Sequence, residues 1–568
     1  MEYIILGAVI VLFLIIYMIR CVLDEKRRKK EFKKSLYENY GNVTSKKYPE
    51  GRLETIATHF KRITGEFCVD DITWNDLEMD KVFCRMDYTF SAAGEEMLYT
   101  LLRIPTADES ELEQREMLIR WFSEHTDDRV KLQLLFASIG RTGKYSIYEY
   151  MDYLDGLKEK SNAKHYAVIV AMVISVFLCF SPYSGIGFAL VCGLLCYNLA
   201  SYFKEKAEID PYITTFAYIL RVLEMESRFS EANVEAIGTM VADMDEKRKK
   251  FRKFRRFSSL LTHQDSMSGN PMDILMDYVR MGLHLNLIKF NTMLSECKKY
   301  KEDIISIIET MGYIESMISI GAYRASLEQY TVPNLENTAG ENEAQERTVS
   351  GLSAEEIYHP LLRDPVDNSF SVKKGMLLTG SNASGKSTFL KTIAIAQIMA
   401  QSVHTVCAKD YRSAYYRVYT SMALRDSLEN SESYFIVEIK ALKRILEAAG
   451  EKGLPVMCFV DEVLRGTNTV ERIAASSEIL ASFAQKKVLC FAATHDIELT
   501  SLMKEQYENY HFEETIENGD VKFNYLLKEG KATSRNAIRL LSVLGYEEDI
   551  ICRAEKRASA FLESGEWR

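Results

Sequence analysis

Apolar residues follow three different rhythms along this chain. Two blocks are continuous: Tyr3–Ile19, 17 residues without a charged side chain, and Tyr166–Phe203, 38 residues without Asp, Glu, Lys or Arg. One bilayer crossing takes about 20 residues. The first block therefore predicts one span, and the second predicts two short spans joined by a turn at "SPYSG", 181–185. A second rhythm has apolar residues three and four apart, as in "YITTFAYILRVLEMESRF" and "DIISIIETMGYIESMISI", and predicts amphipathic helices. From residue 352 onward, short apolar runs alternate with helical patterns, which predicts a parallel α/β sheet. "NLENTAGENEAQERTVSG" is polar and aperiodic and reads as a linker. The expected division is a transmembrane anchor at 1–24, a cytoplasmic helical segment at 25–163, a transmembrane hairpin at 164–204, a helical core and lever region at 205–333, a linker at 334–351 and an α/β unit at 352–568.

Flanking charge sets the orientation. Arg20 and "DEKRRKKEFKK" follow the first block, whereas a cleaved signal peptide carries its cations ahead of the apolar run. Lys164 precedes the second block and "KEK" follows it. Both blocks thus predict the basic flanks inside, a multi-pass protein of the cell membrane with its α/β unit in the cytoplasm. The competing reading of the second block is a hairpin buried in a soluble core. A net charge of −10 excludes a chain that is basic throughout, but not local basic patches. Eleven scattered cysteines without a CxxC pair argue against a disulfide or zinc framework.

Candidate chemistry begins at "LLTGSNASGKSTFL", residues 377–390. Gly380-Ser381-Asn382-Ala383-Ser384-Gly385-Lys386-Ser387 fits G-x-x-x-x-G-K-[ST], with a strand pattern before it and a helix pattern after it. In such a loop backbone N–H groups converge on phosphates, and the helix N-terminus adds its positive end. Lys386 is expected at the β- and γ-phosphates and Ser387 on Mg²⁺; Thr388 completes the binding segment. About 75 residues further on, the apolar run "PVMCFVDE" ends in two acids. Asp461 is expected to hold Mg²⁺ and Glu462 to polarise the attacking water. Two acids after a strand are common by chance; their spacing from the loop favours function. "KVLCFAATHD" ends near His495, whose readings are structural or a sensor of the γ-phosphate.

Together "TGSNASGKSTF", "FVDEVLRGTNT" and "FAATHDIELT" resemble the ATPase domain of the MutS mismatch-repair family. "YHPLL" at 358–362 is similar to the opening of that domain, and 534–558 to its C-terminal helix-turn-helix, used for dimerisation. More weakly, 87–106 resembles the start of the family's core domain. The resemblance implies a P-loop ATPase domain with a MutS-like parallel sheet after an all-α lever and core region, using ATP and Mg²⁺ in a composite site of a homodimer. Ser433 then answers to a residue acting in trans on the neighbour's γ-phosphate, Val366 to the position packing on adenine, and Asn382 to a phosphate-loop residue. The chain departs from the family at "ENSES", where a glycine region is expected, and at Val366, which is not aromatic. No counterpart of the mismatch-reading domain or of the terminal nuclease domain is expected.

"DEKRKKFRKFRRF", 245–257, has Phe251, Phe254 and Phe257 at every third position among cations. Its readings are DNA contact, anionic lipid, a protein partner, or a solvated helix with a core stripe. The family points to DNA among the functional ones. The expected function is a membrane-anchored MutS-like ATPase that drives clamp-like movement of helical arms, with DNA as a partner the resemblance implies. The alternative is an ATPase subunit of a membrane transport complex or another membrane-associated complex without a DNA role. A nucleotide site serving only as a folding element is the third reading.

Overall fold

The computed structural model describes residues 2–44, 46–63, 67–142, 145–256, 281–336, 351–381, 384–422, 434–464, 467–517, 520–532, 538 and 545–564. The chain forms two compact units, each assembled from separate stretches of sequence.

Unit 1 comprises Met1–Thr64, Asp87–Thr100 and Met117–Tyr323 and is helical. The first apolar block opens a single helix, Glu2–Glu38, that continues through the basic cluster. The second block forms two helices, Ala163–Cys179 and Ser184–Ala232. The latter has 49 residues and runs without a break past Lys204 and Lys206, so that the expected boundary at 204/205 falls inside one helix about 73 Å long. Among the described residues two helices are long and apolar enough to cross a membrane by length and composition: the Ser184–Lys206 portion, of which 17% is buried, and Lys301–Ala325, of which 72% is buried. Ala163–Cys179 is shorter. The second of these passing helices is the core helix of unit 1, where Ile307, Met311, Ile314 and Ile318 face inward. Three spans are therefore not established by the fold.

The basic stretch 245–257 resolves into its core-stripe reading. Phe251 and Phe254 are fully buried, stacking edgewise on Tyr300 and on Phe216. Lys247, Lys249 and Lys250 pair with Asp243, Asp245 and Asp303. Phe257 lies outside the described residues.

Unit 2 comprises Gly65–Met86, Leu101–Glu116 and Arg324–Arg568. The first two stretches fall within the expected cytoplasmic segment 25–163, yet they pack as part of this unit. Asp76 accepts hydrogen bonds from Thr420 Oγ1 (2.7 Å) and Met422 N (3.0 Å). Arg444 pairs with Asp70 at 2.7 Å. The backbone of Thr106 donates to Gln401 O at 2.9 Å. Amphipathic periodicity announces that a helix has a buried face; it does not say which element covers it.

Among the described residues ten strands form two sheets. In chain order they are β1 Asn334–Glu336, β2 Leu352–Ile357, β3 Asn368–Val372, β4 Gly375–Thr379, β5 Asp410–Ala414, β6 Arg417–Ser421, β7 Val456–Asp461, β8 Leu489–Ala493, β9 Tyr507–Glu517 and β10 Asp520–Glu529. The smaller sheet has the order β1-β5-β2-β3, the larger β10-β9-β4-β8-β7-β6. β1 occupies the start of the expected linker because it pairs in parallel with β5; 337–350 lie outside the described residues. In the larger sheet β9, β4, β8, β7 and β6 are parallel, and β10 returns antiparallel along β9. β4 and β8 are buried along their whole length, as expected of parallel strands covered on both faces. The Lys386–Ser402 helix is almost entirely buried, and its polar residues are satisfied: Gln397 donates to Ala414 O and Gln401 to Tyr416 O.

Candidate functional site

Three neighbouring strands of the larger sheet, β4, β8 and β7, end side by side. Leu378 is level with Ala493, and Ala493 with Asp461. Whatever follows these strands converges at one edge, the place where open parallel sheets bind ligands.

After β4 the chain turns through Gly380, whose φ of +148° is foreign to L side chains; a Cβ there would lie 2.7 Å from Phe512 O. Gly385 has φ +102° and leads into the Lys386–Ser402 helix. At both positions the backbone takes a conformation that favours glycine. Ser384 is buried, and among the described residues its Oγ has no hydrogen-bond partner. Lys386 Nζ lies over the loop and donates to Gly380 O (2.9 Å) and Ser381 O (2.7 Å). Ser381 Oγ donates to Glu514 Oε2 at 2.9 Å.

At the tip of β7, Asp461 Oδ2 accepts from Ser387 Oγ at 2.6 Å. The two residues expected on one metal ion are therefore in contact across the gap between loop and strand. Glu462 Oε1 lies 2.8 Å from Nε2 of His495, two residues past the end of β8. Beyond it, Arg472 holds Asp496 through two hydrogen bonds of 2.8 and 2.6 Å. Asn468 caps the Thr469–Gln485 helix by accepting from Val470 N, a position where Asn serves as well as Ser.

A cavity of about 780 Å³ adjoins the loop, lined by Ser384 to Phe389, Glu462, Tyr358, His359, Val366, Asn368 and Tyr525 among others. Burial, and then the positive charge of Lys391, push the His359 imidazole down to about 4, leaving it neutral near pH 7. Tyr525 comes from the irregular stretch between Phe523 and Leu527 where the β9/β10 register shifts, and it has φ +55°. Its ring lies 3.1 Å from the position of a Cβ on Gly385. Asn368 braces this bulge, donating to Tyr525 O (3.1 Å) and accepting from Leu527 N (2.7 Å).

The structure thus gathers Gly380, Ser381, Ser384, Gly385, Lys386, Ser387, Thr388, Asp461, Glu462 and His495 at one sheet edge, with Val366 on the wall of the adjoining cavity. Asn382, Ala383 and Ser433 lie outside the described residues, as do Arg465 and Gly466 of the segment after the acids. Sequence reasoning did not find Tyr525. Its only local signal is a tyrosine in an otherwise ordinary hairpin strand, and its place in the cavity depends on a bulge.

The family model of MutS domain V matches residues 376–562, the stretch that carries the loop, both acids and the histidine. The DNA mismatch repair protein MutS of Thermotoga petrophila is 31% identical over 273 residues, 47% of this chain and 33% of that protein. MutS protein homolog 4 of Mus musculus is 30% identical over 266 residues, 44% of this chain and 26% of that protein. Thermus aquaticus MutS is 29% identical over 180 residues, 32% of this chain and 22% of that protein. The matched region spans about a third or less of these relatives' length.

Proposed function

This chain is a MutS-family protein through its C-terminal half, and from that premise we propose that it is a membrane-anchored ATPase that binds ATP and Mg²⁺ at the edge formed by β4, β8 and β7. The observation that carries the reading is the contact of Ser387 with Asp461, beside the Glu462–His495 pair and under Lys386. Backbone N–H groups of the loop and the positive end of the Lys386–Ser402 helix cradle the phosphates. The Ser384 Oγ, without a partner among the described residues, and the glycine-favouring backbone at Gly380 suit that load. Lys386 exchanges its carbonyl partners for phosphate oxygens. Ser387 and Asp461 would hold Mg²⁺ together with the phosphates, where the ion would neutralise charge developing on the transferred group. Among the described residues no cluster of three His, Cys, Asp or Glu is arranged to hold a metal alone, which suits an ion shared with the nucleotide. Glu462 orients the attacking water and accepts its proton, and His495 fixes the Glu462 carboxylate. The base packs between Tyr525 and Val366, with neutral His359 nearby.

Two copies pair through composite sites, with Ser433 acting in trans, and closure moves the helical arms. DNA is the partner suggested by the name of the Thermotoga petrophila relative, a DNA mismatch repair protein. Contact through the phosphate backbone would make binding strongly salt dependent. The protein sits in the cell membrane through the 1–24 segment and the hairpin, with its ATPase unit in the cytoplasm. The exposed apolar surface of the hairpin supports this placement. The same surface favours a second reading, an ATPase subunit of a membrane transport complex or another membrane-associated complex without a DNA role.

Labelled ATP tests the site. Detergent-solubilised full-length protein retains it with magnesium, and Lys386→Ala retains none. Equal retention by the two proteins contradicts the assignment.

A further inference from the structure

The turn that aims Glu462 is held in an uncommon shape. Glu462 and Leu464, neither of them glycine, both have φ +59°, a region that L side chains seldom enter. Such a backbone persists only where its surroundings over-determine it. Three hydrogen bonds do so here. Glu462 N donates to Ala493 O at 2.9 Å, tying the turn to the tip of β8. Ser476 Oγ donates to Val463 O at 3.2 Å from the following helix. Leu464 N donates to Glu438 Oε1 at 2.5 Å.

The third tie comes from elsewhere in the chain. Glu438 lies in the first turns of the Tyr434–Gly450 helix and is 2% exposed. Around it Leu442, Val463 and Leu464 belong to one apolar cluster. Packing alone would favour an apolar residue at such a position, because a buried carboxylate loses its hydration and must be compensated by hydrogen bonds. What the carboxylate supplies is an acceptor for one backbone amide two residues beyond Glu462. The helix that bears it also begins directly after the Ser433 segment in sequence.

We propose that Glu438 is a positioning residue for ATP hydrolysis: its carboxylate locks the left-handed turn at Leu464, which aims Glu462, and so links the start of the Tyr434–Gly450 helix to the residue that orients water. This rests on the ATPase reading above. Hydrolysis is then sensitive to Glu438 while ATP affinity, set by the loop and the cavity, is not.

Turnover and equilibrium ATP binding of full-length wild type, Glu438→Ala, Glu438→Gln and Glu438→Asp separate the possibilities. Glu438→Ala lowers kcat by about 10- to 100-fold, the scale of a small misplacement of a reacting group, and leaves the ATP Kd within about twofold. Glu438→Gln keeps an acceptor oxygen and recovers kcat to within about threefold of wild type. Glu438→Asp, one methylene too short for the contact, behaves like Glu438→Ala and carries the test if the alanine variant does not fold. Wild-type kcat in Glu438→Ala, or ATP affinity falling in step with kcat, overturns the proposal, as does Glu438→Gln as impaired as Glu438→Ala. Turnover by wild type that Lys386→Ala abolishes is the control. Its absence removes the ATPase reading itself, whereas its presence beside an unaffected Glu438→Ala removes only the role of Glu438.

Discussion

The two units keep their exceptional side chains on opposite sides of the solvent boundary. In unit 2 charged and polar residues, Lys386, Asp461, Glu462 and His495, are drawn together at one sheet edge by turns that most residues cannot adopt. In unit 1 the exceptional residues are large, apolar and exposed: Phe177 at 72%, Phe180 at 87% and Phe188 at 68%, all in the hairpin. Each arrangement costs free energy in water, by desolvating charge in one case and by wetting aromatic surface in the other. In the proposed reading each cost is relieved by a ligand or phase, a nucleotide in unit 2 and a lipid phase in unit 1. Hydropathy alone does not draw this line within unit 1. Lys301–Ala325 and Ser184–Lys206 both pass the test of length and composition, and only their burial, 72% against 17%, separates them.

The contrast between those helices can be broken by substitution. Ile314, fully buried in the core helix, becomes Asp with loss of the folded state, because an unpaired carboxylate replaces packed methyl groups. Val170→Asp with Leu195→Asp, near the middle of the two exposed apolar stretches, leaves the unit folded and, in a chain without the 1–24 segment, releases the protein from the membrane fraction after carbonate extraction, since a charge at the centre of a span costs about 2.5–3.5 kcal/mol. If the double variant stays in the membrane, or Ile314→Asp is tolerated, exposure is not the deciding property.

A smaller effect separates the units by pH. In unit 1, burial outweighs the Ser146 hydrogen bond and pushes Glu96 up to about 8; burial likewise pushes Glu315 up to about 7 against hydrogen bonds from Ser91 and Phe90. Both carboxyls keep a proton in the folded state that the unfolded chain has released, so unit 1 loses stability as pH rises from 6 to 8, by about 2 kcal/mol from Glu96. In unit 2 the sign reverses. Burial pushes Glu116 up, but the nearby His404 ring, 3.6 Å away, and the hydrogen bonds from Arg324 outweigh it and hold the carboxyl at about 2, while His359 is held at about 4. His359 costs stability as pH falls below about 6.5, and Glu116 as it falls below about 4.5. Thermal unfolding followed by hydrogen exchange, corrected for intrinsic rates, shows unit 1 weakening toward pH 8 and unit 2 toward pH 5. In Glu96→Gln the alkaline loss is reduced. A parallel response of both units contradicts these assignments.

The same contrast explains what the sequence disclosed. The loop, the acid pair and His495 were legible because phosphate binding demands particular residues at fixed offsets, and the strands before them are continuous apolar runs. The helical periodicity of 301–325 likewise announced a core helix. Assignment to a unit was not legible: Gly65–Met86 and Leu101–Glu116 look like any amphipathic helices, and it is contacts such as those of Asp76, Arg444 and Thr106 that reveal their attachment to unit 2. The "KEK" motif suggested a boundary that the Ser184–Ala232 helix passes through. Tyr525 and Glu438 escaped notice because each acts through a backbone irregularity, a bulge in one case and a left-handed turn in the other, that neither composition nor spacing encodes.

The claim that unit 2 splits ATP with Glu462 is tested most directly by a single-turnover experiment on full-length Glu462→Gln and wild type with labelled ATP and magnesium. The account requires that the variant hold ATP as tightly as wild type and leave it uncleaved while wild type releases product. Cleavage at equal rates by the two proteins would contradict it.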